Sequence, residues 1–233
     1  MKKNLPKLII TGSEGVIGRK LVEHFKNEFE ILKLDKLLGH DLTSDAFVSS
    51  WFKKNVGAYG LIVCHAYNPA VPSINSKKRK VEPYDMPLDE LRSFFEVNSI
   101  SAFNVCRNFI KNNKQGVLIN VSSIYGTVAP RHEMYKNFVK PIGYSMSKAA
   151  LNIMTKYLAT YYAPNFRINT VIFGGVGGNA NDALFLESYG KNTPMKRLMN
   201  IDEVTSIFGF LLDKKSTYIT GTEIYVDGGW TAW

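Results

Sequence analysis

Tyr144 and Lys148 form the only Tyr-x-x-x-Lys in the chain, and on a helix that spacing places both side chains on one face. A phenol with a pKa near about 10 exchanges protons poorly at neutral pH, whereas an adjacent ammonium favours the phenolate. The pair therefore reads as a proton-transferring tyrosine with an electrostatic partner. Lys148 also has the reach to hydrogen-bond a ribose. Directly upstream, the apolar run GVLINVSS ends in Ser122 and Ser123, so hydroxyls arrive where a strand should stop.

A second constellation lies near the N-terminus. The apolar run KLII leads into Thr11, Gly12, Ser13, Glu14, Gly15, Val16, Ile17 and Gly18, and a helical pattern follows. Glycines let the backbone turn tightly against a pyrophosphate while the next helix aims its free N–H groups at the anion. The next apolar run, EILKL, ends in Asp35, either an acceptor for ribose hydroxyls that repels a 2′-phosphate or simply the start of a turn. NAD is favoured on that ground, and flanking Lys33 and Lys36 keep NADP open. Asp41, followed by Leu42, is read as an adenine contact, with helix capping by a neighbouring Thr or Ser as the other use.

These residues need a scaffold that brings strand ends together. Apolar runs (KLII, EILKL, LIVCHA, GVLINVSS, RINTVIF, EIYVD) alternate with helical patterns at about 16–26, 45–54, 88–111, 144–161 and after Asp202. A short segment around Leu37 to Leu42 continues the alternation. Such an order predicts an α/β fold: a doubly wound parallel sheet with helices on both faces and ligands at the strand carboxyl ends.

Composition fits one folded unit of 233 residues, 45% hydrophobic and 21% charged, without linker, repeat or low-complexity tract. No apolar stretch is long enough to span a bilayer, and the N-terminal one is too short for a signal peptide, so a cytoplasmic protein without membrane partners is expected. Cys64 and Cys106 sit in apolar runs without metal-ligand spacing and read as buried thiols; no metal is expected. The net charge of +9 includes the run Lys77, Lys78, Arg79 and Lys80, either a solvated loop or an anion-attracting one. No nucleic-acid-binding module accompanies it.

Together the motifs resemble the short-chain dehydrogenase/reductase family end to end. Asn120-Val121-Ser122-Ser123 is similar to the segment whose second serine polarises the substrate oxygen, which implies that role for Ser123. Phe95-Glu96-Val97-Asn98 resembles the segment whose asparagine holds a relay water, which points to Asn98. Arg167-Ile168-Asn169, Tyr218-Ile219-Thr220-Gly221 and Val226-Asp227-Gly228-Gly229 match later family motifs. The resemblance implies a single-domain Rossmann fold with a seven-stranded sheet, a homodimer or homotetramer, and an NAD(P)-dependent alcohol–ketone interconversion by Asn98, Ser123, Tyr144 and Lys148. It also implies cofactor contacts at His65, Ala66, Gly174, Gly175 and Val176, and a substrate lid at about 177–197.

Departures from the pattern localise the unread part. Val16 stands where the commonest short members have glycine. Cys64-His65-Ala66-Tyr67 replaces Asn-Asn-Ala-Gly, so His65 is either a ligand contact or a structural histidine. An insertion between Ser123 and Tyr144 carries Arg131, His132, Lys136 and Lys140, a cationic rim suited to a polar or anionic small-molecule substrate such as a sugar derivative, or a solvated loop. The Ser-Ser-Ile-Tyr-Gly segment with this insertion, and the final Asp-Gly-Gly-Trp-Thr-Ala-Trp, resemble the bacterial flagellin-modification oxidoreductases of nonulosonic-acid synthesis. A non-catalytic nucleotide-binding regulator and a sugar-nucleotide epimerase or dehydratase are the competing functions.

Overall fold

A computed structural model describes residues 5–69, 82–135, 138–177 and 183–233. Its strands are β1 (Lys7–Thr11), β2 (Glu30–Leu34), β3 (Ala58–Val63), β4 (Gly116–Ser123), β5 (Phe166–Phe173) and β6 (Glu223–Val226). All pair in parallel, in the order β2-β1-β3-β4-β5-β6. The helices are α1 (Val16–Phe25), α2 (Asp45–Lys54), α3 (Leu88–Phe95), α4 (Ser101–Lys111), α5 (Ile142–Tyr162), α6 (Ala183–Lys191) and α7 (Thr205–Leu212).

The two-residue period of the strands divides the core in two. Ile9, Leu61, Val63 and Leu118 point to one face, where they meet α2, α4 and α5 through Phe52, Phe109 and Leu151. Leu8, Ile10, Ile62 and Ile119 point to the other, against Phe25 of α1 and Phe208 of α7. Burial on both faces explains why these strands are continuous apolar runs rather than alternating ones. Between β1 and β3 the crossovers leave in opposite directions, opening a crevice at the strand carboxyl ends where a ligand fits.

Two expectations change. Among the described residues the sheet has six strands, not seven: the segment at Leu37 to Leu42 forms no strand. Asp35 instead caps a short 3₁₀ turn, Lys36–Leu38, that ends at Gly39 with φ 78°. Leu37 and Leu38 face solvent and give a further strand nothing to bury. The helix expected over 88–111 is interrupted by a π-helical turn at Glu96–Ile100, with Asn98 buried in it. Such turns often mark functional positions in helices.

Candidate active site

At the β1–α1 turn the backbone leaves no room for side chains. Gly12 has φ 63°, and a Cβ there would lie 2.7 Å from the His65 amide nitrogen; one on Gly18 would lie 2.0 Å from the Gly12 carbonyl oxygen. The N-terminus of α1 has no side-chain cap and no acidic residue in its first turn. Its N–H groups stay available to an anion. Ser13 Oγ is buried without a hydrogen-bond partner. An uncapped helix, a glycine cradle and an orphaned hydroxyl together fit a dinucleotide pyrophosphate. Val16 is half exposed at the first position of α1, and Ile17 packs on the core behind the turn.

Asp35 stands at the end of β2 with its carboxylate accepting from Glu14 N at 2.9 Å and Leu37 N at 2.8 Å. A carboxylate offers about four lone-pair sites, so two remain for a ribose diol. Lys33 is committed to Glu14 at 3.1 Å, and Arg19 lies 3.4 Å from the same carboxylate. That arrangement places two carboxylates, Asp35 and Glu14, where a 2′-phosphate would need cations. Asp41 accepts from Thr43 N and Oγ1 in a local turn, and the cap of α2 is Ser44. Leu42 is buried in the core beside it. The ring of His65 is hydrogen-bonded on both nitrogens, to Thr11 Oγ1 at 2.7 Å and Ser101 Oγ at 2.8 Å. Burial pushes its pKa down to about 3, so the ring is a neutral strut between β1 and α4. Exposed Ala66 follows it at the rim of the crevice.

The residues expected to transfer protons converge at the end of β4. Tyr144 and Lys148 are both buried on α5. Lys148 Nζ donates to the Val121 carbonyl at 2.8 Å and lies 6.0 Å from the centre of the Tyr144 ring. Burial raises the pKa of Tyr144, and a hydrogen bond with Ser123 opposes that rise. Burial, not Lys148, governs Tyr144 in this state; the Lys148 ammonium is itself desolvated, its pKa pushed down to about 8, and donates to backbone. Ser123 Oγ also accepts from Tyr125 N at 3.2 Å. Asn98 binds Tyr67 through both backbone groups, accepting from N at 2.6 Å and donating to O at 3.0 Å, and donates to Ser147 Oγ at 3.0 Å. Its amide ties the loop after β3 to the α5 turn that carries Tyr144.

After β5, Gly174 and Gly175 are hemmed in by Tyr189 of α6: its hydroxyl accepts from Gly175 N at 2.6 Å. Val176 pairs with Met199. Tyr189 stacks on Trp230 with ring centres 4.8 Å apart. Tyr144 is enclosed by an aromatic cluster that includes Tyr125, Tyr135, Tyr189 and Trp230, with the Tyr125 and Tyr135 hydroxyls 2.7 Å apart. No sequence spacing announces this cluster, because its members come from four separated segments.

Of the inserted cations, Arg131 lies 5.7 Å from the Trp230 ring centre, His132 is exposed and Lys140 is buried. Lys136, the basic run 77–80, and positions 178–182 of the expected lid fall outside the described residues. Both cysteines are free, with thiol pKa values pushed up to about 12 by burial. No described helix is long and apolar enough to cross a membrane.

The family model described as enoyl-(acyl carrier protein) reductase matches residues 8–231. The post-translational flagellin modification protein A of Campylobacter coli is 35% identical over 221 residues, covering 92% of this chain and 83% of that protein. Glucose 1-dehydrogenase 2 of Bacillus subtilis (strain 168) is 28% identical, covering 96% and 93%. In fold, a short-chain dehydrogenase from Leptospira borgpetersenii solved with bound NAD+ superposes with a TM-score of 0.84 at 24% identity, covering 97% of this chain and 93% of that one. A small-chain dehydrogenase in complex with NADPH gives a TM-score of 0.81 at 21% identity, covering 99% and 100%.

Proposed function

The chain belongs to the short-chain dehydrogenase/reductase family, and from that premise we propose that it is an NAD-preferring dehydrogenase interconverting a secondary alcohol and a ketone on a sugar derivative. The observation that carries the reading is the buried Tyr144, beside Ser123, which opposes the rise in its pKa, and with its ring centre 6.0 Å from Lys148 Nζ. When bound, the dinucleotide accepts or supplies the hydride. The residues that would hold it are Gly12, Ser13, Glu14, Gly15, Val16, Ile17 and Gly18 at the phosphates, Asp35, Asp41, Leu42 and Ala66 on the adenosine side, where His65 acts only as a brace, and Tyr144, Lys148, Gly174, Gly175 and Val176 towards the nicotinamide.

In the direction of reduction, Tyr144 gives its phenolic proton to the ketone oxygen while Ser123 donates a hydrogen bond to it; in oxidation both movements reverse. Lys148, with one of its three donors on Val121, restores the proton on Tyr144 through its free donors. Asn98 fixes the loop after β3 against α5. The segment 177–197 serves as the lid, and the whole chain acts as one domain. Similarity to a flagellin modification protein and to a glucose dehydrogenase supports a sugar-derived substrate, and with it goes the expected role in bacterial surface-glycan synthesis in the cytoplasm.

The outer face of α5 supports the reading of a homo-oligomer. Ile153, Tyr157 and Tyr161 recur every four residues and are 64%, 68% and 70% exposed, a stripe of the kind a second copy covers. The test of the function is twofold. Fluorescence titration should give at least tenfold tighter binding of NADH than NADPH, and a panel of sugars and sugar acids with NAD+ should show NADH formation. Binding without turnover on any alcohol or ketone would favour a regulatory nucleotide-binding role.

A further inference from the structure

Lys140 sits two residues before α5, in the insertion that separates Ser123 from Tyr144. Only 7% of it is exposed. Its Nζ lies 4.6 Å from the centre of the Tyr144 ring, closer than Lys148, and donates to Asn68 Oδ1 at 2.5 Å. Among the described residues no carboxylate is within ion-pair distance of it. Two desolvated lysines thus flank one phenol. The neutral amide of Asn68 and a ring face satisfy one of the three ammonium protons and part of the charge. Burying a cation on those terms is costly, and folded proteins meet the cost by pairing it. Desolvation alone drives the Lys140 pKa down to about 8, so at neutral pH the group is still mostly charged.

Resting on the dehydrogenase reading above, we propose that Lys140 is a specificity-determining residue that binds an anionic substituent of the substrate, carboxylate or phosphate, next to the carbon whose oxygen meets Tyr144. Its place on the tyrosine ring puts it on the substrate side of the site. The cofactor's own phosphates belong at the far turn after β1, where the α1 amides take them. The insertion then has a function: it delivers a cation into a site that already holds Lys148, and Asn68 fixes where that cation points.

The test is calorimetric titration of the NAD-saturated protein with sodium acetate and, separately, inorganic phosphate, with sodium chloride holding ionic strength constant. One saturable site per chain is expected for at least one anion. Lys140→Met should weaken it at least tenfold while leaving NADH affinity within twofold. Binding of phosphate alone identifies a phosphorylated substrate, and of acetate alone a carboxylated one. Lys140→Gln serves as the second neutral variant if the first does not fold. In the absence of added anion, Lys140→Met should raise Tm by about 3 °C or more, because an uncompensated buried charge is removed; a merely structural lysine would lower it. Absence of saturable binding of both anions, or binding unchanged by either neutral variant, overturns the proposal. These titrations involve no turnover, so a failed dehydrogenase assay and a failed anion site are separate results.

Discussion

The two halves of the crevice are built by different means. On the cofactor side the shape is backbone: Gly12 and Gly18 exclude any Cβ, α1 begins without a cap, and Asp35 holds the turn through two amides. On the proposed substrate side it is side chain: Tyr125, Tyr135, Tyr189 and Trp230 close around Tyr144, and two lysines are buried there with no ion pair among the described residues. Backbone recognition suits a constant ligand, because every dinucleotide presents the same pyrophosphate. Side chains from separate loops suit a variable one, since each can change without disturbing the sheet.

The sharpest way to break this division is Tyr144→Phe. We expect kcat/KM to fall by about 10³-fold or more with NADH affinity within twofold, checked by steady-state kinetics and fluorescence titration. Comparable losses in both would mean that the halves are not independent.

Next in size is the charge at Lys140. Its pKa is about 8 in the folded chain against 10.5 for an ordinary lysine, so the unfolded chain binds the extra proton between those values. Stability therefore climbs with pH across that window. The cost of the cation, about 3 kcal/mol as an upper figure, is fully present below pH 8. Consequently the Tm advantage of Lys140→Met over the wild type should be largest at pH 7 and vanish above about pH 10.5, read by paired thermal melts. Lys148, shifted the same way, is present in both proteins and drops out of the difference.

Asp35→Ala tests the other half. Loss of the ribose acceptor should weaken NADH by about tenfold to a hundredfold and NADPH far less, narrowing the preference. Loss of the turn cap should cost about 1 kcal/mol in urea unfolding. An unchanged NADH/NADPH ratio would take discrimination away from Asp35. The smallest effect on chemistry is expected from Tyr157→Glu with Tyr161→Glu. Light scattering should report a smaller assembly, with kcat per chain within about twofold.

Local spacing made one part of the site legible. Tyr144 and Lys148 share a helix, Ser123 ends a strand, and the glycine turn is contiguous, so each could be placed from a few neighbouring residues. The 3₁₀ turn at Lys36–Leu38 was not legible, because the apolar pair Leu37 and Leu38 has a strand's composition and becomes exposed only when no neighbour covers it. The π-helical turn at Asn98 leaves the helical pattern intact and is equally silent in sequence. For His65 the sequence left two uses open, and only the position of Thr11 and Ser101 on either side of the ring made it a strut.

What the sequence by itself determined was the layered α/β order, the placing of Tyr144 and Lys148 on one helix face with Ser123 at a strand end, and the acidic end of β2, since these depend on period and proximity along the chain. Tertiary structure alone decided the environment of each group. Burial, not the neighbouring ammonium, governs the acidity of Tyr144 in this state, and among the described cations of the inserted loop Lys140 becomes the buried one. Desolvation is a property of everything packed around a residue, and sequence spacing carries no measure of it.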